Sequence, residues 1–91
     1  MKLTPEVIRV CRVNLGMSQG QLARRSDVSA ALIGAIERGD RKLLPEVERR
    51  IRAAIPLTDD EIEELVEVNR KVTKKAAGNK REIFWRYPTA F

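Results

Sequence analysis

The chain has 91 residues, 43% of them apolar and 34% charged, with 18 Lys and Arg against 13 Asp and Glu, one Cys and no His. Two domains do not fit that length, no apolar run approaches the ~20 residues that span a bilayer, and a lone Cys without His excludes a disulfide framework and the mixed Cys/His zinc sites. The first residues lack the apolar stretch and small-residue cleavage site of a targeting segment, so a cytoplasmic location is expected.

Helical periodicity and end signals recur along the chain, whereas no strand-period alternation lasts more than a few residues. Thr4 before Pro5 is an N-cap and first-turn pair; Ile8, Cys11 and Leu15 then share a face until Gly16 stops the helix. Ser18 caps a short second helix from Gln19 to about Arg25, with Leu22 and Ala23 inward. Ser29 caps a third to Arg38, with Ile33 and Ile36 inward and Gly39 releasing it. Pro45 opens a fourth whose apolar stripe is Leu44, Val47, Ile51 and Ile55, and Pro56 closes it. Thr58-Asp59-Asp60-Glu61 is a capping box, with Leu57 and Ile62 as hydrophobic staple, and it starts a fifth helix. That helix carries the stripe Ile62, Leu65, Val66, Asn69 and Val72 and ends in Arg70, Lys71, Lys74 and Lys75 before Gly78 and Asn79. The sequence therefore predicts an all-α chain of five helices, divided into a unit over 1–56 and a C-terminal helix with a tail over 57–91.

Charge divides along the same line. Residues 1–55 hold 11 Lys and Arg against 6 Asp and Glu, and residues 56–91 hold seven of each. A basic excess confined to one segment is the footprint of a polyanion binder, or of an ordinary solvated basic surface. Only Ser26, Asp27 and Val28 join the second and third helices, which forces a steep helix-to-helix turn.

On that turn the sequence resembles a known family. Gln19, Leu22, Ala23, Val28, Ile33 and Ile36, within LGMSQGQLARRSDVSAALIGAIERG, stand at the spacings of the lambda-repressor-like and Cro-like helix-turn-helix proteins, the XRE family. The resemblance covers about residues 5 to 55. Asp27 departs from it, since the family favours Gly there for a backbone with φ > 0; Asp tolerates that region at a cost of about 1 kcal/mol.

The resemblance implies a dimeric regulator of transcription on double-stranded DNA, in particular a repressor of phage, mobile-element or bacterial origin acting on a two-fold operator. It equally admits the antitoxin of a toxin–antitoxin pair, in which the C-terminal region grips a toxin. By position, Ser18 and Gln19 would meet phosphate, Ser29, Ala30, Ala31, Gly34 and Ala35 would face base edges, and Arg38, Arg41 and Lys42 would take phosphates. Arg24 and Arg25 are either further phosphate contacts or solvated surface. The small base-facing residues suit thymine methyls and shape readout, or else a face packed on protein. Arg12 and Glu37 would form a structural ion pair.

Nothing in the sequence supports an enzyme. Cys11 lies on an inward stripe with no His to activate it. Asp59, Asp60, Glu61, Glu63 and Glu64 crowd a helix N-terminus without the spacing of a calcium loop. No metal or other cofactor is expected. The four aromatics, Phe84, Trp85, Tyr87 and Phe91, lie together in the last eight residues, beyond a core already complete on aliphatic residues. With Ile62, Leu65 and Val66 they are expected to make a homodimer or protein-partner contact.

Overall fold

A computed structural model describes the backbone of residues 1–78 and the side chains of residues 1–72. Five helices run in the order α1 (Pro5–Asn14), α2 (Gln19–Ser26), α3 (Ala30–Arg38), α4 (Pro45–Ala54) and α5 (Asp59–Gly78), and no strand occurs among the described residues. Four of the five starts follow from a short-range interaction between a side chain and the free N–H groups of the first turn. Thr4 Oγ1 accepts from Val7 N at 3.2 Å, and Ser29 Oγ from Leu32 N at 3.0 Å. Two starts are reciprocal. Ser18 exchanges hydrogen bonds with Gln21 at 3.1 and 2.7 Å, and Thr58 with Glu61 at 3.1 and 2.8 Å. At α4 the capping position is Leu44, which offers no side-chain bond, and Pro45 sets the first turn instead.

α2 packs on α3 and α4, while α1 packs on α3 and α5. Their inward faces meet in one aliphatic core whose fully enclosed members include Ile8, Cys11, Leu22, Ile33, Ile36, Ile51 and Ile62. Burying each large side chain contributes about 1.5–3 kcal/mol, so the core rests on a small number of branched residues. Leu3, Val7, Val10 and Met17 also belong to it. Ala23, 4% exposed at the heart of the α2–α3 pair, stays small where the helices approach closely.

Three expectations change at this level. Leu44 does not share the inward stripe of α4; it is 59% exposed, because its extended backbone precedes the first helical residue and breaks the 3.6-residue phase. Ser26 belongs to α2 rather than to the turn, and its buried hydroxyl donates back to the Leu22 carbonyl at 2.6 Å. Ile62 and Val66, expected at a subunit contact, are 0% and 6% exposed within the chain's own core, so they have no surface to offer a partner. The core thus runs without a break past Pro56 into α5. Among the described side chains of α5, the apolar ones left outside are half-buried Leu65 and exposed Val68 and Val72. Phe84, Trp85, Tyr87 and Phe91 lie outside the described residues.

Candidate nucleic-acid interface

The turn between α2 and α3 is built on Asp27, whose backbone sits in the left-handed region at φ 57° and ψ 44°. Its amide N–H donates to the Ala23 carbonyl, which closes α2 and redirects the chain within three residues. Arg50 of α4 braces the turn from below. One of its Nη groups donates to the Asp27 carbonyl at 3.1 Å and lies 3.8 Å from the carboxylate. No local sequence signal marks this contact, because the partners are 23 residues apart.

The far end of α3 is held by a second anchor. Arg12 of α1 forms a two-pronged pair with Glu37, Nε to Oε2 at 2.8 Å and Nη2 to Oε1 at 2.9 Å. The same guanidinium donates to the Met17 carbonyl at 2.9 Å, and Gln19 Nε2 adds a 3.4 Å hydrogen bond to Glu37. Arg12 and Glu37 are 14% and 5% exposed, so the bonds form away from bulk water. The hydrogen bond to Glu37 raises the Arg12 pKa further above its already high ordinary value.

Between these anchors α3 keeps one face outward. Ser29, Ala30 and Ala31 are exposed and Ala35 is half-buried. Gly34 is buried although it lies on that side, and its cover is polar. A Cβ built on it would lie 3.1 Å from Gln19 Oε1 and 3.2 Å from an Arg38 Nη atom. Of the other residues expected at the interface, Ser18 is exposed, Gln19 half-buried, and Arg24, Arg25, Arg38, Arg41 and Lys42 exposed. Ion pairs among the described residues engage Arg12, Arg38, Arg49, Arg50, Arg52, Arg70 and Lys71, and they do not include Lys2, Arg9, Arg24, Arg25, Arg41 or Lys42. Of the expected interface residues, the structure brings Gln19 and Arg38 together over Gly34 of α3, and Arg41 and Lys42 line a shallow groove with Leu32 of α3 and Val47 of α4. What sequence reasoning did not find here is Arg50 as the brace of the turn and the polar cover over Gly34; both depend on side-chain reach across elements.

A steep turn between two short helices, with the second anchored at both ends and open along one small-residue face, is the geometry of a helix-turn-helix. The helix-turn-helix family model matches residues 8–62, and the chain belongs to that family, the XRE group of lambda-repressor-like and Cro-like DNA-binding regulators of transcription. Among solved structures, the clp gene regulator ClgR from Corynebacterium glutamicum is similar, with a TM-score of 0.58 over 93% of this chain and 90% of that one at 19% identity. At that identity the likeness shows the fold alone. No curated protein matches the sequence. No helix among the described residues is long and apolar enough to cross a membrane.

Proposed function

We propose that the chain is a sequence-specific regulator of the cytoplasm that binds a two-fold operator as a dimer and represses transcription from it. The observation that carries this reading is the exposed Ser29-Ala30-Ala31 start of α3 in a chain that matches the helix-turn-helix family over residues 8–62, and the exposed Arg24, Arg41 and Lys42 support it. A capped helix N-terminus with free N–H groups, at Ser18 and again at Ser29, suits phosphate oxygens, and Arg41 and Lys42 supply charge at the other end. Ala30, Ala31 and Ala35 lack hydrogen-bonding side-chain atoms and match the C5 methyl of thymine. The apolar Val68 and Val72, 51% and 53% exposed on α5, support a contact with a second copy and replace Ile62 and Val66 in that role.

The test is a footprint on the DNA upstream of the protein's own gene, paired with titrations at several salt concentrations. Two protected half-sites about one helical turn apart are expected. With about four phosphate contacts per protomer, log K falls against log salt with a slope of about −7. A slope near zero would remove the DNA-binding face from this side of the molecule, and a single unpaired half-site would remove the dimer.

A further inference from the structure

The outward face of α3 is poor in polar atoms of its own. Ala30, Ala31, Gly34 and Ala35 have none in their side chains, and the Ser29 hydroxyl, which accepts from Leu32 N, is left with its single O–H to donate. Methyl contacts alone distinguish thymine from cytosine but leave the two purines unread. Beyond that one hydroxyl, polar readout has to come from longer side chains that reach over this face.

Two side chains do reach it, and they meet over Gly34. The Gln19 carboxamide approaches from α2, with Oε1 3.1 Å from the place of a Cβ. Arg38 comes from the next turn of α3 and lays an Nη atom 3.2 Å from the same point. Helical side chains lean toward the N-terminus, so the Arg38 head sits a full turn nearer the groove-entering end than its own Cα. Arg38 Nε donates to Asp40 Oδ2 at 3.0 Å in a pair that is 65% and 64% exposed, a bond that turns one edge of the guanidinium toward the carboxylate and does not use the two Nη groups. Two parallel N–H groups of one guanidinium match the O6 and N7 acceptors of guanine. Phosphate contact at this end does not need Arg38, since exposed Arg41 and Lys42 follow it.

We infer that Arg38 is a base-reading residue that selects guanine in each half-site, with Gly34 as the notch that admits its head and Asp40 as the residue that positions it. The inference rests on the DNA-binding reading above and revises the phosphate role that position in the family implies for Arg38.

The experiment selects binding sites for the full chain from a pool of random duplexes and repeats the selection with Arg38→Ala, Asp40→Asn and Arg41→Ala. The wild-type motif should contain one fixed guanine per half-site. Arg38→Ala should free that position alone, cutting its preference by roughly 5- to 150-fold, while Asp40→Asn loosens it partially. Arg41→Ala should weaken all sequences together and make the salt slope shallower. Replacing the guanine by 7-deazaguanine, which lacks N7, should weaken wild type roughly tenfold and leave Arg38→Ala unaffected. An Arg38→Ala motif identical to wild type, with uniformly weaker binding, would overturn the inference and leave the DNA-binding reading standing. If wild-type protein enriched no motif at all, both would fall together.

Discussion

Replacing Arg12 by Met tests whether the α1–α3 ion pair is what holds α3 in place. Met keeps the aliphatic stem and removes three hydrogen bonds at once: two to Glu37 at 2.8 and 2.9 Å and one to the Met17 carbonyl. Glu37, 5% exposed, is left with the 3.4 Å contact from Gln19 as its remaining hydrogen bond. Stranding a buried charge in this way costs about 3–5 kcal/mol, against a total stability of about 5–15 kcal/mol for a domain. For a chain of this length each kcal/mol lowers Tm by about 4–8 °C, so a fall of at least about 12 °C is expected in a thermal scan of helical circular dichroism. Glu37→Leu should cost less, because Arg12 keeps the Met17 carbonyl and can turn its head toward water. The double variant should sit closer to wild type than Arg12→Met does, since no unpaired charge remains. Two single variants each within 1 kcal/mol of wild type, or a double variant as unstable as the sum of the singles, would refute the assignment.

Further outcomes follow from the turn, the notch, the caps and the core. Asp27→Gly removes a side chain from the left-handed region, where it sits at φ 57°, and should raise stability by about 0.5–1 kcal/mol in urea unfolding; the Asp27–Arg50 charge pair, which the same substitution removes, is exposed and offsets little of that gain. Gly34→Ala should stabilise α3 by up to about 1 kcal/mol through helix propensity while weakening the guanine preference, because the new Cβ moves the Arg38 and Gln19 heads; a fall in Tm would show that neither head can yield. Acid should loosen the start of α5. Hydrogen bonding to Thr58, through its backbone N–H above all, holds the Glu61 carboxyl below its ordinary pKa, and the Arg52 guanidinium does the same for Asp59. Their contribution is therefore complete above the usual carboxylate range and fades as pH falls through it, below about pH 4. In Glu61→Gln that part of the pH dependence should flatten in pH-jump unfolding. Burial pushes the Cys11 thiol above its ordinary value, so an aromatic disulfide reagent should react with native protein far more slowly than with protein unfolded in urea.

Chemistry confined to a few residues is legible in the sequence itself. Thr4-Pro5, Ser18, Ser29 and Thr58 through Glu61 mark helix starts because capping is a contact over two or three residues, which a sequence displays directly. The positive φ of Asp27 is reached through the family resemblance and not through the residue itself. Whether a helical stripe faces its own chain or a neighbour is a different kind of question. Ile62 and Val66 have the same pattern in either case, and only the placement of α5 against α1 decides it. Leu44 fails for a third reason: it lies one residue ahead of the helix whose phase its spacing suggests. The polar cover over Gly34 leaves no mark in the sequence because it is made by the reach of two long side chains from other turns.

The two anchors of α3 differ in kind, and the difference bears on how this face can change. At its C-terminal end the Arg12–Glu37 pair is enclosed and joined to the core helix α1, so changing either residue puts the whole fold at risk. At its N-terminal end the Arg50 brace takes hold of a main-chain carbonyl, which is present whatever residue stands at position 27. Neither anchor uses a side chain from the outward face. Substitutions at Ala30, Ala31 and Ala35 should therefore alter which bases are read with little change in stability, provided they add no large apolar group to the surface. Arg38 is tied to that face through Gly34 and Asp40 without being part of the core. Paired selections on Ala31→Gln and Arg38→Ala should therefore shift separate base positions, whereas Arg12→Met should weaken binding to every site equally by lowering the folded fraction. A base-specific effect of Arg12→Met would mean that the anchor tilts α3 in the groove instead of simply securing it.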